Sequence, residues 1–91
     1  MKRELELTGA TILSLEDFHE EIAKLLSFPH YYDKTLDGLW DCLNSYIDPR
    51  IKLNWTNHDI SKDHMGYDFQ RVVDVLQSSA SNLEEFEFYL N

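Results

Sequence analysis

Arg50-Ile51-Lys52-Leu53-Asn54-Trp55 sets an apolar side chain at every second position and a polar one between. That is the period of a strand with one face in a core and the other in water, whereas a strand buried on both faces reads as a near-continuous apolar run. Two further segments share the pattern: Glu4-Leu5-Glu6-Leu7, closed by Thr8-Gly9, and Glu85-Phe86-Glu87-Phe88-Tyr89-Leu90. Stretches of helical period separate the three. The order strand, helices, strand, helices, strand is that of an α/β fold whose helical crossovers join parallel strands. One-sided alternation throughout predicts two layers, a three-stranded parallel sheet with every helix packed on the same face. The outer-face charges favour strand order 1-2-3. Strand one beside strand three would set one glutamate row against another, while a central strand carrying Arg50 and Lys52 separates them, at a few tenths to about 1 kcal/mol per pair.

Ser14 heads the first helix as N-cap, with Asp17 three residues on in the position of a capping box. Leu15, Phe18, Ile22, Leu25 and Leu26 fall on one face and Glu16, Glu20 and Lys24 on the other, so an amphipathic helix is predicted that stops before Pro29. The loop Phe28-Pro29-His30-Tyr31-Tyr32-Asp33-Lys34 is aromatic and proline-fixed. A second helix is predicted from Thr35, a suitable N-cap, to about Asn44 or Tyr46. Residues 56 to 65 are polar, with a short helix expected around Ile60. Phe69, Val72, Val73 and Leu76 mark another amphipathic helix, ending in the serine-rich Ser78-Ser79-Ala80-Ser81-Asn82.

The chain has 91 residues, which suits one domain over residues 1–91 and leaves no room for a large enzyme fold. At 43% hydrophobic and 13% aromatic residues it is too apolar for a disordered acidic segment. Cys42 is the single cysteine and cannot form a disulfide within the chain, which fits a reducing compartment. Lys2, Arg3, Glu4 and Glu6 stand where a signal peptide needs an apolar run, and no stretch approaches the ~18–20 apolar residues of a membrane helix. A cytoplasmic protein, without membrane contact, is expected.

Seventeen acidic residues against 8 basic ones give a net charge of −9. Such a balance repels phosphate backbones and argues against direct nucleic-acid binding. It suits a cationic partner or cleft, although acidity by itself also serves solubility.

On the second helix, with ~100° per residue and Leu36 at zero, Leu39, Trp40 and Leu43 cluster within about 60° of it. Asp37, Asp41 and Asn44 lie together between roughly 80° and 140°, and Trp40 borders both groups. Asp37 and Asp41 are like charges at i,i+4 with no Lys or Arg at i+4 to relieve them. A solvated helix face tolerates such a pair. The functional alternative is a carboxylate stripe beside Trp40, Tyr31 and Tyr32, residue types that dominate binding hot spots.

The run Pro29-His30-Tyr31-Tyr32-Asp33-Lys34-Thr35-Leu36-Asp37-Gly38-Leu39-Trp40-Asp41-Cys42-Leu43 resembles the signature of the barstar family, inhibitors of barnase-type ribonucleases. Leu15-Glu16-Asp17-Phe18-His19, Leu53-Asn54-Trp55 and the closing helix and strand extend the likeness along nearly the whole chain. The resemblance implies an intracellular inhibitor, not an enzyme, that needs no cofactor. It implies insertion of the second helix and its preceding loop into the active site of a basic, extracellular-type or toxin ribonuclease. The partner-binding face it implies comprises Tyr31, Tyr32, Thr35, Asp37, Gly38, Trp40, Asp41, Asn44, Ser45 and Tyr46, with Ser78 on the last helix. Asp41 matches the aspartate that occupies the enzyme's phosphate site; Asp37 and Tyr31 match central contacts. A monomer when free is expected.

Departures from the family pattern fall at Asp33, where glycine is usual, and Thr35, where asparagine is usual. Ser45 and Tyr46 stand for glycine and tryptophan, and Ser78 for an acid on the last helix. They bear on which enzyme is bound, and an interaction module for a different basic protein or toxin is the alternative reading.

Other chemistry finds less support. His58 and His64, with Asp59 and Asp63 between them, have no zinc spacing, so no metal site is expected. Asp37 and Asp41 lack apolar neighbours to raise a pKa and a nucleophile at fixed spacing, so no catalytic residue is assigned. His19 borders the core stripe and reads as structural. Cys42, near 240° on the same wheel, lacks a basic neighbour that would activate it.

Overall fold

The computed structural model describes residues 2–91. In chain order the elements are strand β1 (Arg3–Thr8), helix α1 (Leu15–Leu26), helix α2 (Leu36–Asp41), strand β2 (Ile51–Thr56), helix α3 (His58–Met65), helix α4 (Tyr67–Asn82) and strand β3 (Phe86–Leu90). A short 3-10 turn follows β1 at Gly9–Thr11, and a π-helical turn, Cys42–Tyr46, continues α2. The three strands form one sheet of order β1-β2-β3, parallel throughout. No helix among the described residues is long and apolar enough to cross a membrane.

Alternation does what the sequence predicts. Leu5 pairs with Leu53 and Leu53 with Phe88, while Leu7, Trp55 and Leu90 form the next inward row. On the other face Lys52 lies between Glu4 and Glu87. Its ammonium is 3.4 Å from Glu4 and 5.5 Å from the centre of the Tyr89 ring, and Glu87 is engaged by Lys2 and by the Tyr89 hydroxyl. Arg50 departs from the expectation. It precedes β2 and pairs with Asp48, Nη2 to Oδ2 2.6 Å, so on the outer face Lys52 of β2 and Lys2, which engages Glu87, supply the positive charge for the glutamate rows.

Trp55 is fully buried at the centre of the helix-covered face. It stacks on Phe18 at 5.3 Å between ring centres and meets Phe69 at 5.2 Å. Its indole N–H donates to Ser61 Oγ at 3.3 Å, and that hydroxyl donates to the Gly9 carbonyl at 2.8 Å. A buried polar group is thus satisfied through α3, the helix foreshadowed only by the expectation around Ile60.

Helix α1 starts as predicted: Ser14 Oγ accepts from the Asp17 N–H at 3.0 Å. Helix α4 runs through the serine stretch to Asn82. Ser79 there is fully buried and receives a hydrogen bond from Asn44, so packing overrides a composition of modest helix propensity. At Cys42–Tyr46 the α2 spiral widens, Ile47 N–H bonding back to Cys42 O at 3.1 Å. Leu43 stays buried while Asn44 reaches α4.

Candidate functional site

The approach to α2 is built by side chains of the loop before it. Thr35 caps the helix, Oγ1 accepting from the Gly38 N–H at 2.9 Å. Asp33 Oδ1 in turn accepts from the Thr35 hydroxyl at 2.7 Å and the Thr35 N–H at 3.2 Å. Lys34 between them has φ 57°, left-handed backbone that non-glycine residues seldom adopt. A Cβ at position 38 would collide with the Asp33 carboxylate. Glycine at 38 and aspartate at 33 therefore belong to one arrangement, in which Asp33 fills space beside the helix start.

Tyr32 and Tyr31 point to different fates. Tyr32 is half-buried, its ring against Phe28 at 4.8 Å and its oxygen 2.6 Å from His19 Nδ1. Burial, followed by the proximity of Cys42 and Asp33, raises its pKa. Tyr31 is 70% exposed. One tyrosine thus ties the loop to α1 while the other is presented to solvent.

Asp37, Asp41 and Trp40 are exposed along α2, as are Ser45 and Tyr46 after it. Asp41, Tyr31, Tyr32, Asp33 and Gly38 line one cleft of about 160 Å³. Trp40 leans the other way, lining with Ser78 a groove of about 570 Å³ between α2 and α4. Asn44 joins the groove's two walls. Its Nδ2 donates to Ser79 Oγ at 3.1 Å, and its Oδ1 accepts from Asn82 Nδ2 at 2.8 Å. Every residue singled out from sequence thus lies on or beside α2, or across the groove from it. Cys42 is buried at the edge of that cleft, and burial, then Asp41 and Asp33, raises its thiol pKa.

Two contributors escape a reading by spacing. His19 anchors Tyr32 across 13 residues of sequence and Asn82 meets Asn44 across 38; the only sequence signal for the former is a histidine on the core stripe. Asp74 lines the groove with Ser78, and its signal is the i,i+4 spacing.

Ion pairing sharpens the electrostatics. Five of the 8 basic side chains pair with Glu87, Glu20, Asp48, Glu4 and Asp68. Among the described residues, Asp33, Asp37, Asp41 and Asp74 have no basic partner. Unpaired acids also occur elsewhere, Glu6, Glu16 and Glu85 among them, but Asp33 and Asp41 share a cleft with Tyr31, and Asp74 a groove with Trp40. Among the described residues no three His, Cys, Asp or Glu side chains converge as a metal ion would require.

Comparison with known proteins gives a consistent picture. The family model described as "Barstar (barnase inhibitor)" matches residues 2–91. A protein of Bacillus subtilis (strain 168) named "Putative ribonuclease inhibitor YrdF" is 30% identical over 83 residues, 91% of this chain and 91% of that one.

Proposed function

The chain belongs to the barstar family of barnase inhibitors, and from that premise we propose that it blocks the active site of a basic, barnase-type ribonuclease with α2 and the loop before it. The observation that carries this reading is the set of carboxylates without basic partners, Asp33, Asp37 and Asp41, flanked by exposed Tyr31 and Trp40. A ribonuclease holds the phosphates of RNA with cationic side chains. A carboxylate presented to the same groups accepts their charge-assisted hydrogen bonds but offers no phosphodiester to cleave. Asp41 fills the phosphate site, Asp37 and Tyr31 make central contacts, and Thr35, Gly38, Asn44, Ser45, Tyr46 and Ser78 border them. Tyr32 supports the loop through His19. The inhibitor acts as a cytoplasmic monomer that protects the cell making the enzyme.

The test is a titration of a purified barnase-type ribonuclease with this chain while RNA cleavage is followed. Cleavage should fall to background near equimolar inhibitor. Full activity at a large excess would contradict the proposal and favour a different basic protein as partner.

A further inference from the structure

A further cleft, of about 440 Å³, opens where α1, the loop before α2, the start of α2 and α4 meet. His19, Lys34, Asp37 and Arg71 line it, with Leu15 and Leu36 as apolar walls. We infer that this cleft binds a small free oxyanion, inorganic phosphate, through His19 Nε2, Lys34 and Arg71, and that Asp37 selects a protonated form of it. The site goes beyond the ribonuclease-inhibitor reading and does not depend on it.

Three observations support it. The first is an unsatisfied donor: His19 is 2% exposed, and its Nε2 is buried with no hydrogen-bond partner among the described residues. Nδ1 lies 2.6 Å from the Tyr32 oxygen, and Tyr32 lines the other cleft, with Asp41, so the Nε2 edge is the one left to this cleft. With Nδ1 accepting from the Tyr32 hydroxyl, only Nε2–H goes unpaired; with Nδ1–H donating instead, both the Nε2 lone pair and the Tyr32 proton lack a protein partner. The arrangement with fewer orphans makes Nε2–H a buried donor, costly until an acceptor oxygen meets it. The second observation is cationic charge, brought to the cleft by Lys34 from the loop and Arg71 from α4. Each has one acidic neighbour, Lys34 Nζ 3.6 Å from Glu20 and Arg71 Nη1 3.3 Å from Asp68, in pairs about half exposed. Exposed pairs of this kind are weak, and an ammonium with three donors and a guanidinium with five keep N–H groups for a second acceptor. Both side chains can turn as the anion enters, which uncovers the Nε2 that is closed to solvent in the free chain. The third observation is Asp37, the one acid among the lining residues. Its carboxylate repels sulfate, which carries no proton at neutral pH, whereas inorganic phosphate keeps at least one P–O–H, and that hydroxyl donates to Asp37.

The experiment titrates the full chain with sodium phosphate and, separately, sodium sulfate at neutral pH, with chloride holding the ionic strength constant. NMR follows the imidazole nitrogens of His19 and the backbone amides of Leu15, Lys34 and Arg71. Phosphate should shift these resonances saturably, with a dissociation constant on the order of a millimolar, and sulfate should bind at least about tenfold more weakly. Arg71→Gln and Lys34→Gln should each weaken phosphate binding about fivefold or more, while Lys24→Gln, which removes a base of α1 outside the cleft, should change it less than about twofold. Asp37→Asn should bring sulfate to within about twofold of phosphate. A linear, non-saturating response to phosphate, equal binding of the two anions by the wild type, or a loss in Lys24→Gln as large as in Arg71→Gln would overturn the inference while leaving the inhibitor reading intact. Thermal melts of each variant without added anion separate a lost contact from a damaged fold.

Discussion

His19 joins the core to the candidate binding face. It is 2% exposed, its Nδ1 meets the Tyr32 oxygen, and Nε2 is buried with no partner among the described residues. In either neutral tautomer one ring nitrogen goes unpaired; a second proton would make both nitrogens donors with only the Tyr32 oxygen to receive them. Burial lowers the His19 pKa from its ordinary 6.5, and the Asp33 charge, which raises it, outweighs that of Lys34, which lowers it, without reversing the shift. Asp37 and Arg71 line the same cleft as His19 and Lys34. Because the folded chain binds this proton less readily than the unfolded chain, stability is full above about pH 6.5 and falls as pH drops through that value toward the folded-state pKa. Thermal melts between pH 7.5 and 5.5 should show this loss in the wild type and a flatter profile in His19→Gln. Identical slopes would remove His19 from the account. Sequence shows a histidine beside the α1 stripe, but its bond to Tyr32 depends on how the loop folds back, which no local period encodes.

At the scale of elements, the start of α2 is the most informative. Glycine within a helix costs up to about 1 kcal/mol relative to alanine, yet at 38 the missing Cβ leaves room for the Asp33 carboxylate that holds Thr35. Gly38→Ala should therefore be close to neutral or destabilising in the wild type, as the gain in propensity is offset by displacement of Asp33. In an Asp33→Gly background the same change should stabilise, with a difference of about 1 kcal/mol between backgrounds by denaturant unfolding. Additive effects would show that the two residues do not share that space. Strands and the bulk of each helix were legible because periods of two and 3.6 residues are local properties of the chain. The widening of the second helix into a π turn at Cys42–Tyr46 was not. Nor were the contacts of Asn44 with Ser79 and Asn82 across the groove, which leave no periodic trace.

Across the whole molecule, acids outnumber bases 17 to 8. Glu4 and Glu87 on the sheet, Glu20 on α1, Asp48 before β2 and Asp68 on α4 are compensated by neighbouring bases. The other acids have no basic partner among the described residues; Glu6, Glu16, Glu21 and Glu85 are spread over the surface, whereas Asp33, Asp37 and Asp41 fall on α2 and the loop before it, near exposed Tyr31 and Trp40. The sheet order follows the same electrostatics with Lys2 in place of Arg50, since Arg50 serves Asp48 while Lys2 engages Glu87. The candidate face was legible in the spacing of α2 and in the family signature, whereas the wall contributed by α4 emerges only from the packing of two distant helices. The central claim is that a carboxylate on α2 takes the place of the substrate phosphate. It is tested most directly by the inhibition constants of the wild type and Asp41→Ala against one barnase-type ribonuclease, with matched thermal melts. The wild type should inhibit, and the variant should melt alike but inhibit at least about thirtyfold more weakly, the scale of a binding hot spot. Equal inhibition by the two proteins would contradict it.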